Sequence, residues 1–451
     1  MARQMKDSGI AWIDEIPEEW EVARLKQVFD FGKGLPITKE DLVDKGIPVI
    51  SYGQIHAKSN TGVAVQQELI RYVPDVFRET NCGSSVSKND FILADTSEDL
   101  LGCGNCVFVD REMELFAGYH TIILRSTTTQ DNKYLAYLFL TDAWRSQIRS
   151  KVSGVKLFSI SRKILSEATV LVPSTGVRRR IAAFLDRRCA EIDAVMERTK
   201  ATIEEYKKLK QAVITEAVTK GVRGPRKMKD SGIEWIGEIP EGWDMVKITR
   251  ILDYDVPYPI GDGDHGLISP DDYQDDGIPY LRVQNLGWGT QLNLDGLVYI
   301  SAEINERVKN STLHPNDVLF AKTGATIGKT GIVPENMPMA NTTSHVGKIT
   351  VAPRYSAMWV FYVLSSHVGY RQFWQIAQQK TTRPELAIAE IKAICLPMPS
   401  DRAEQDEIVE YLKVRCAELE KMISSKETLL TELETYKKSV IYEYVTGKKQ
   451  V

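Results

Sequence analysis

Several stretches hold residue types whose spacing could do chemistry. Gly324-Ala325-Thr326-Ile327-Gly328-Lys329-Thr330 approaches a phosphate-binding P-loop. Three residues separate its glycines where that loop needs four, and Thr323 stands where the first glycine would have to be. One residue changes which backbone N–H groups point inward, so no nucleotide site is expected. Gly261-Asp262-Gly263-Asp264-His265-Gly266 fits G-x-G-x-x-G by letter. It runs into Leu267-Ile268-Ser269-Pro270-Asp271-Asp272, a turn-rich acidic stretch where a dinucleotide needs a helix at once. Cys103 and Cys106 form a C-x-x-C, with only Cys82 and His120 as further ligand types, at irregular spacing. The matching stretch 326–329 has no cysteine, so the expected fold depends on no metal. H-E-x-x-H, nucleophile-elbow and Pro-Pro motifs are absent, which leaves no visible reaction centre and no expected cofactor.

What remains is recognition chemistry. Tyr280, Arg282, Gln284 and Asn285 follow Pro279. Arg and Asn/Gln are the side chains that make bidentate contacts to guanine and adenine edges. The matching piece, 50–58, carries a comparable polar load in Tyr52, Gln54, His56 and Lys58. Lys322, Lys329 and Arg383 in one half, and Lys88, Lys151 and Lys156 in the other, could hold phosphates. Any one of these alone is ordinarily a solvated surface residue. The case rests on their equivalent places in two halves.

Those places must be held by something, and the holding elements are two long helices with one register. In 177–220 the apolar seam is Leu185, Cys189, Ile192, Met196, Thr199, Ile203 and Tyr206, spaced alternately by four and three. Adding 227 gives Leu412, Cys416, Leu419, Ile423, Lys426, Leu430 and Leu433. Such narrow seams are what a coiled-coil pair buries, and about 44 residues at ~1.5 Å of rise make a rod of roughly 66 Å. Two unrelated amphipathic helices, each packed on its own domain, would not explain the shared register.

The duplication extends further. MKDSGIAWIDEIPEEW (5–20) recurs as MKDSGIEWIGEIPEGW (228–243). Trp12/Trp235 and Trp20/Trp243 flank an Ile-Pro step, read as core anchors with nothing reactive beside them. Each anchor precedes about 150 residues of short strands, turns and helices. Asn89-Asp90 and Asn316-Asp317 echo one another as turns ahead of a strand, a reading preferred to nuclease carboxylates. Amphipathic helices are expected near 134–149 and 358–374, and proline-closed strands at 169–173 and 393–399. The stretch 221–227 reads as a short flexible joint.

The expected domains are therefore 1–173, a first spacer helix 174–222, 223–400, and a second spacer helix 401–451. The fold class is α+β: two similar mixed domains, two long antiparallel helices, and a pseudo-twofold repeat. If the chain ends lie close together, the order domain, helix, domain, helix is nearly cyclic. No apolar run approaches a membrane span, and the start lacks a signal peptide's apolar core, so a cytoplasmic protein with no membrane partner is expected. Six cysteines in 451 residues make no disulfide framework. A net charge of -4 gives no global basic footprint, so DNA binding would rely on local faces or on a partner's positive charge.

This arrangement resembles the specificity subunit of type I restriction-modification systems. The resemblance is carried by 229–240 and its first copy, by Asn316-Asp317-Val318-Leu319-Phe320, and by Leu396-Pro397-Met398-Pro399 leading into Glu404-Gln405. The first half departs from it, with Arg179-Arg180 where the second has Asp406-Glu407. The resemblance implies two target-recognition domains, each reading half of a split asymmetric site on double-stranded DNA, with the helices as spacer. It implies two adenine-methyltransferase subunits as partners, restriction/translocase subunits that can join them, and S-adenosylmethionine and ATP on those partners alone. A specificity subunit for a two-sided-cleaving system, or a non-enzymatic coiled-coil interaction scaffold, is the competing reading.

Overall fold

The computed structural model describes all residues except 1–3, 11, 128–131, 155, 264–265, 290–291 and 379–383. It divides into two compact units, 1–199 with 428–451, and 200–427. Each unit therefore takes a globular region together with part of each long helix.

In the first unit the duplicated segment is a hairpin, Met5–Asp7 antiparallel to Glu15–Pro17 with Lys6 opposite Ile16. Its sequence explains its turn: the Asp7 carboxylate accepts from Gly9 N at 2.9 Å, Ser8 Oγ accepts from Ile10 N at 3.0 Å, and Gly9 takes a φ of 67° that disfavours side chains. The second unit repeats the device. Lys229 faces Ile239, Asp230 accepts from Gly232 N at 2.9 Å, and Gly232 has φ 73°. Trp20 and Trp243 are both 1% exposed, as core anchors should be, but Trp12 is 40% exposed and Trp235 only half-buried.

The central sheets match strand for strand. In the first unit the order is Phe29–Lys33, Thr121–Ser126, Phe91–Ala94, Cys106–Phe108, all antiparallel. In the second it is Ile260–Asp262, Val346–Ile349, Val318–Ala321, Thr330–Ile332, again antiparallel. A three-stranded sheet accompanies each, with Ile47–Ile50 or Ile278–Leu281 in the centre, one antiparallel neighbour and one parallel one. The central strands are apolar because both faces are covered: 91–94 and 318–321 are buried throughout. Asn89 and Asn316 enter them at φ 76° and 67°, so the Asn-Asp echo is a left-handed turn.

Two expectations needed revision. Each stretch expected to be an amphipathic helix is a pair of helices. Thr141 Oγ1 accepts from Trp144 N and Ser366 Oγ from Val368 N, starting a new helix after Lys133–Phe139 and Ala357–Ser365, and those first helices are buried nearly all round. The joint 221–227 is pinned, not loose: Arg226 donates to Glu404 at 2.6 Å and Arg223 to Glu407 at 2.7 Å, while Arg226 lies 5.1 Å over Trp243. Val177 and Arg180 hold the places of those glutamates in the first unit, so it cannot repeat the clasp.

The long helices run Thr175–Lys220 and Arg402–Val445. In the first unit Ile181, Leu185 and Cys189 share a core with Val440, Ile441 and Val445. Phe184 meets Tyr444 at 4.4 Å between rings and Asp193 meets Lys437, so the partner's numbers fall as the helix's rise: the packing is antiparallel. In the second unit Ile214, Ala217 and Val218 share a core with Ile408, Val409, Leu412 and Cys416, and the ladder Lys210–Glu420, Arg223–Glu407 runs the same way. Of the seam, Leu185, Cys189, Ile192, Met196, Ile203, Leu412, Cys416 and Leu419 are buried, whereas Tyr206, Ile423, Leu430 and Leu433 are half-buried. Among the described residues no helix is long and apolar enough to cross a membrane.

Candidate nucleic-acid interface

Each unit presents the same turn at the end of its central three-stranded-sheet strand. In the first, Gln54 Oε1 accepts from Ser51 N at 3.1 Å. In the second, Asn285 Oδ1 accepts from Arg282 N at 2.8 Å. A polar residue three positions along closes each turn onto its own first N–H, a place that Gln fills in one copy and Asn in the other. Ser51-Tyr52-Gly53-Gln54 thus corresponds to Arg282-Val283-Gln284-Asn285, one frame with different side chains.

In the first unit this turn opens on a cleft of about 710 Å³ whose lining includes Lys39, Tyr52, Gln54, Asp99, Tyr119 and Arg145. Tyr52 packs edge-on against Tyr119 and His120, each at 5.4 Å. Burial, and then Tyr52, push the Tyr119 hydroxyl above its usual value. Burial holds the Arg145 guanidinium below its ordinary value, opposed chiefly by Cys106. His56 has both ring nitrogens engaged. Asn105 Nδ2 sits 3.2 Å from Nδ1 and the Thr96 carbonyl 2.9 Å from Nε2, a pairing that suits the neutral Nε2–H tautomer. The cleft offers donors, acceptors and aromatic faces together.

The sequence-derived residues separate into two groups. Lys58, Lys88, Lys156 and Gln284 are exposed, and Lys329 is half-buried. Lys151 is exposed but paired with Glu167 at 3.1 Å. Tyr52 and Gln54 are half-buried at the cleft. The fold itself takes up others. Tyr280 is 1% exposed against Tyr273. Asn285, equally buried, also donates to Asn293 O at 2.8 Å. Lys322 is buried between Asp262 and Glu385, the latter at 3.3 Å. Arg282 donates to Gly296 O at 3.1 Å and lies 5.5 Å over the Tyr273 ring. Arg383 falls outside the described residues.

Sequence reasoning weighed His120 only as a metal-ligand type, and missed Asp95, Tyr119, Lys39 and Arg145. One echo could have placed His120. The backbone of Asp95 donates to His120 O at 3.1 Å, and that of Lys322 to His345 O at 3.0 Å, so the two histidines occupy one ladder position. His120 Nδ1 lies 3.2 Å from Asp95 and His345 Nδ1 3.2 Å from Thr323 Oγ1. The frame is kept and the partner changed.

Comparison with known proteins agrees with this picture. The family described as Type I restriction modification DNA specificity domain matches residues 17–205 and again 240–434. A type I restriction enzyme EcoBI specificity subunit from Escherichia coli is 28% identical over 66% of this chain, a match that spans 62%, under two thirds, of that protein. The MjaVIII specificity subunit of Methanocaldococcus jannaschii is 22% identical over 97% of this chain and 94% of its own. A chain from a structural study of complex assembly and conformational transition of the type I R-M system superposes with a TM-score of 0.67 at 16% identity, covering 96% of this chain and 99% of that one, which shows the fold. With both halves matched and both halves built alike, the chain belongs to the type I restriction modification DNA specificity domain family, of which it carries two copies.

Proposed function

We propose that this chain is the DNA-recognising, non-catalytic specificity subunit of a type I restriction-modification complex. Each domain reads one half of a split, asymmetric sequence, and the paired helices set the spacer and dock methyltransferase subunits. The observation that carries the reading is the repeated frame with unlike side chains: Ser51-Tyr52-Gly53-Gln54 and Arg282-Val283-Gln284-Asn285 close the same turn yet present different chemistry. In the first half, Tyr52, Gln54 and Tyr119 face base edges while Lys58, Lys88, Lys151 and Lys156 meet phosphates. In the second, Gln284 and Lys329 take those roles, with Arg282 held by Gly296 O and the Tyr273 ring as part of the frame. His56, Tyr280, Asn285 and Lys322 support the frame from within.

A net charge of -4 leaves much of the phosphate contact to partners. Two adenine-methyltransferase subunits carrying S-adenosylmethionine, with ATP-using restriction/translocase subunits joining them in the cytoplasm, supply that charge and the catalysis. Mapping methylated adenines across the host genome, with and without this gene, tests the proposal. A bipartite motif that vanishes with the gene is expected. An unchanged methylome, with no salt-dependent DNA binding by any complex of the chain, would instead favour an interaction scaffold.

A further inference from the structure

We infer that the loop carrying Leu100 and Leu101 is an apolar wedge that opens a base step of duplex DNA in the first half-site. The inference rests on the DNA-recognition reading and adds to it a deformation of the duplex. The loop leaves the ribbon in which Thr96–Ser97 pairs with Phe158–Ser159. Leu101 is 72% exposed and Leu100 43%, while Leu157, just before the partner strand, is 50% exposed. Loop tips are ordinarily polar, so adjacent exposed leucines need a reason.

Looseness is not the reason, because the loop is tied throughout. Ser97 Oγ donates to Asp99 O at 2.6 Å, Gly102 N donates to the Asp99 carboxylate at 2.6 Å, and Arg149 donates to Leu101 O at 2.7 Å. Cys103 N closes the turn on Leu100 O at 3.3 Å. The apolar tips are held out in advance. Leu101 lines the same cleft as Tyr52, Tyr119, Lys39 and Arg145, and the exposed Lys156, Arg162 and Lys163 flank the ribbon's other strand. Apolar side chains thrust between bases, with cations beside them for the phosphates, is the arrangement by which proteins unstack and kink a duplex. The occupant is therefore duplex DNA, not a protein surface: of the two carboxylates beside the leucines Asp99 is engaged by Gly102 N, and Glu98 is outnumbered by Lys39 and Arg145 in the cleft and by Lys156, Arg162 and Lys163 on the ribbon.

The experiment uses the full chain assembled with its methyltransferase subunits on a duplex holding the mapped site. 2-Aminopurine, which pairs with thymine, replaces in turn each adenine on either strand of the first half-site and of its flanking base pairs, except the methylated adenine, whose own extrusion would confuse the reading. The wild-type complex should show a several-fold fluorescence rise at one step on binding. The double variant Leu100→Ser, Leu101→Ser should assemble equally well, bind about tenfold more weakly and lose that rise. A wild-type complex that binds the site with no rise at any step overturns the wedge, as does a variant that keeps the rise. A variant that no longer captures the methyltransferase subunits without DNA would assign the leucines to a protein contact and also overturn it. Failure of the wild-type complex to bind DNA at any salt concentration would instead sink the recognition reading itself, and the wedge with it.

Discussion

Lys437 Nζ donates to both carboxylate oxygens of Asp193, at 2.6 and 2.8 Å, and thereby joins the two long helices within the first unit. Subtracting 227 from Lys437 gives Lys210, and adding 227 to Asp193 gives Glu420. In the second unit Lys210 donates to Glu420 at 2.7 Å. A polar pair in an apolar seam specifies register, because any slip leaves a charge unpaired. The duplication has copied the key as well as the seam.

The two keys differ in burial, which makes a prediction. Lys210 is 5% exposed and also donates to Gly289 O at 2.9 Å, whereas Lys437 and Asp193 are open at the side-chain level by 29% and 49%. Lys210→Ala strands a backbone carbonyl and removes a packed stem, and should cost about 1–3 kcal/mol. Lys437→Ala breaks a more exposed pair and should cost under about 1 kcal/mol. Urea titration of both variants checks the order. Equal losses would show that burial does not decide the worth of these pairs.

The seam, the tandem repeat and the terminal strands were legible in the sequence because each rests on local spacing. The cleft was not. Tyr119, Lys39 and Arg145 reach it from three separate segments, brought together by long-range strand pairing that periodicity does not encode. Tyr280 and Asn285 misled for a related reason. Alternation identifies a face of a strand but not which face is covered, and Asn285 sits in a turn where its side chain closes the backbone.

Lysines of the two kinds should respond differently. Lys156 is exposed, so Lys156→Gln should weaken DNA binding by the complex at all sequences alike and lower the salt slope by about 1, with melting unchanged. Lys322 is buried against Asp262 and Glu385, so Lys322→Gln should lower the stability of the second domain by about 3–5 kcal/mol through an uncompensated charge. Binding isotherms over a salt series, beside denaturation curves, separate the two.

Burial pushes the Cys106 thiol up to about 12 and those of Cys189 and Cys416 up to about 11. Cys82 is exposed. At pH 8 a thiol reagent should therefore label Cys82 first and reach Cys106 only on unfolding. The linkage has a definite sign. A raised thiol pKa contributes stability that is complete below the unfolded value and is lost as pH rises toward the folded one. Alkaline destabilisation should thus grow from about pH 9 upward, and a Cys106→Ala variant should show less of it in denaturant titrations at pH 8 and 10.

The last prediction concerns length. Inserting seven residues in both helices, after Thr199 and after Lys426, adds two turns to each and preserves the 3.5-residue seam together with both lysine–carboxylate keys. Seven residues at ~1.5 Å of rise add about 10.5 Å, and at ~3.4 Å per base pair the spacer should grow by up to about 3 base pairs. Both half-site sequences should stay as they were, because neither cleft nor turn is touched. Inserting seven residues in one helix alone leaves Lys210 and Lys437 unable to meet Glu420 and Asp193 in a common register, and should cost assembly. Methylation mapping of the paired insertion reads spacer and half-sites at once. A change in the half-site bases with an unchanged gap would show that the helices take part in base reading and do not set distance.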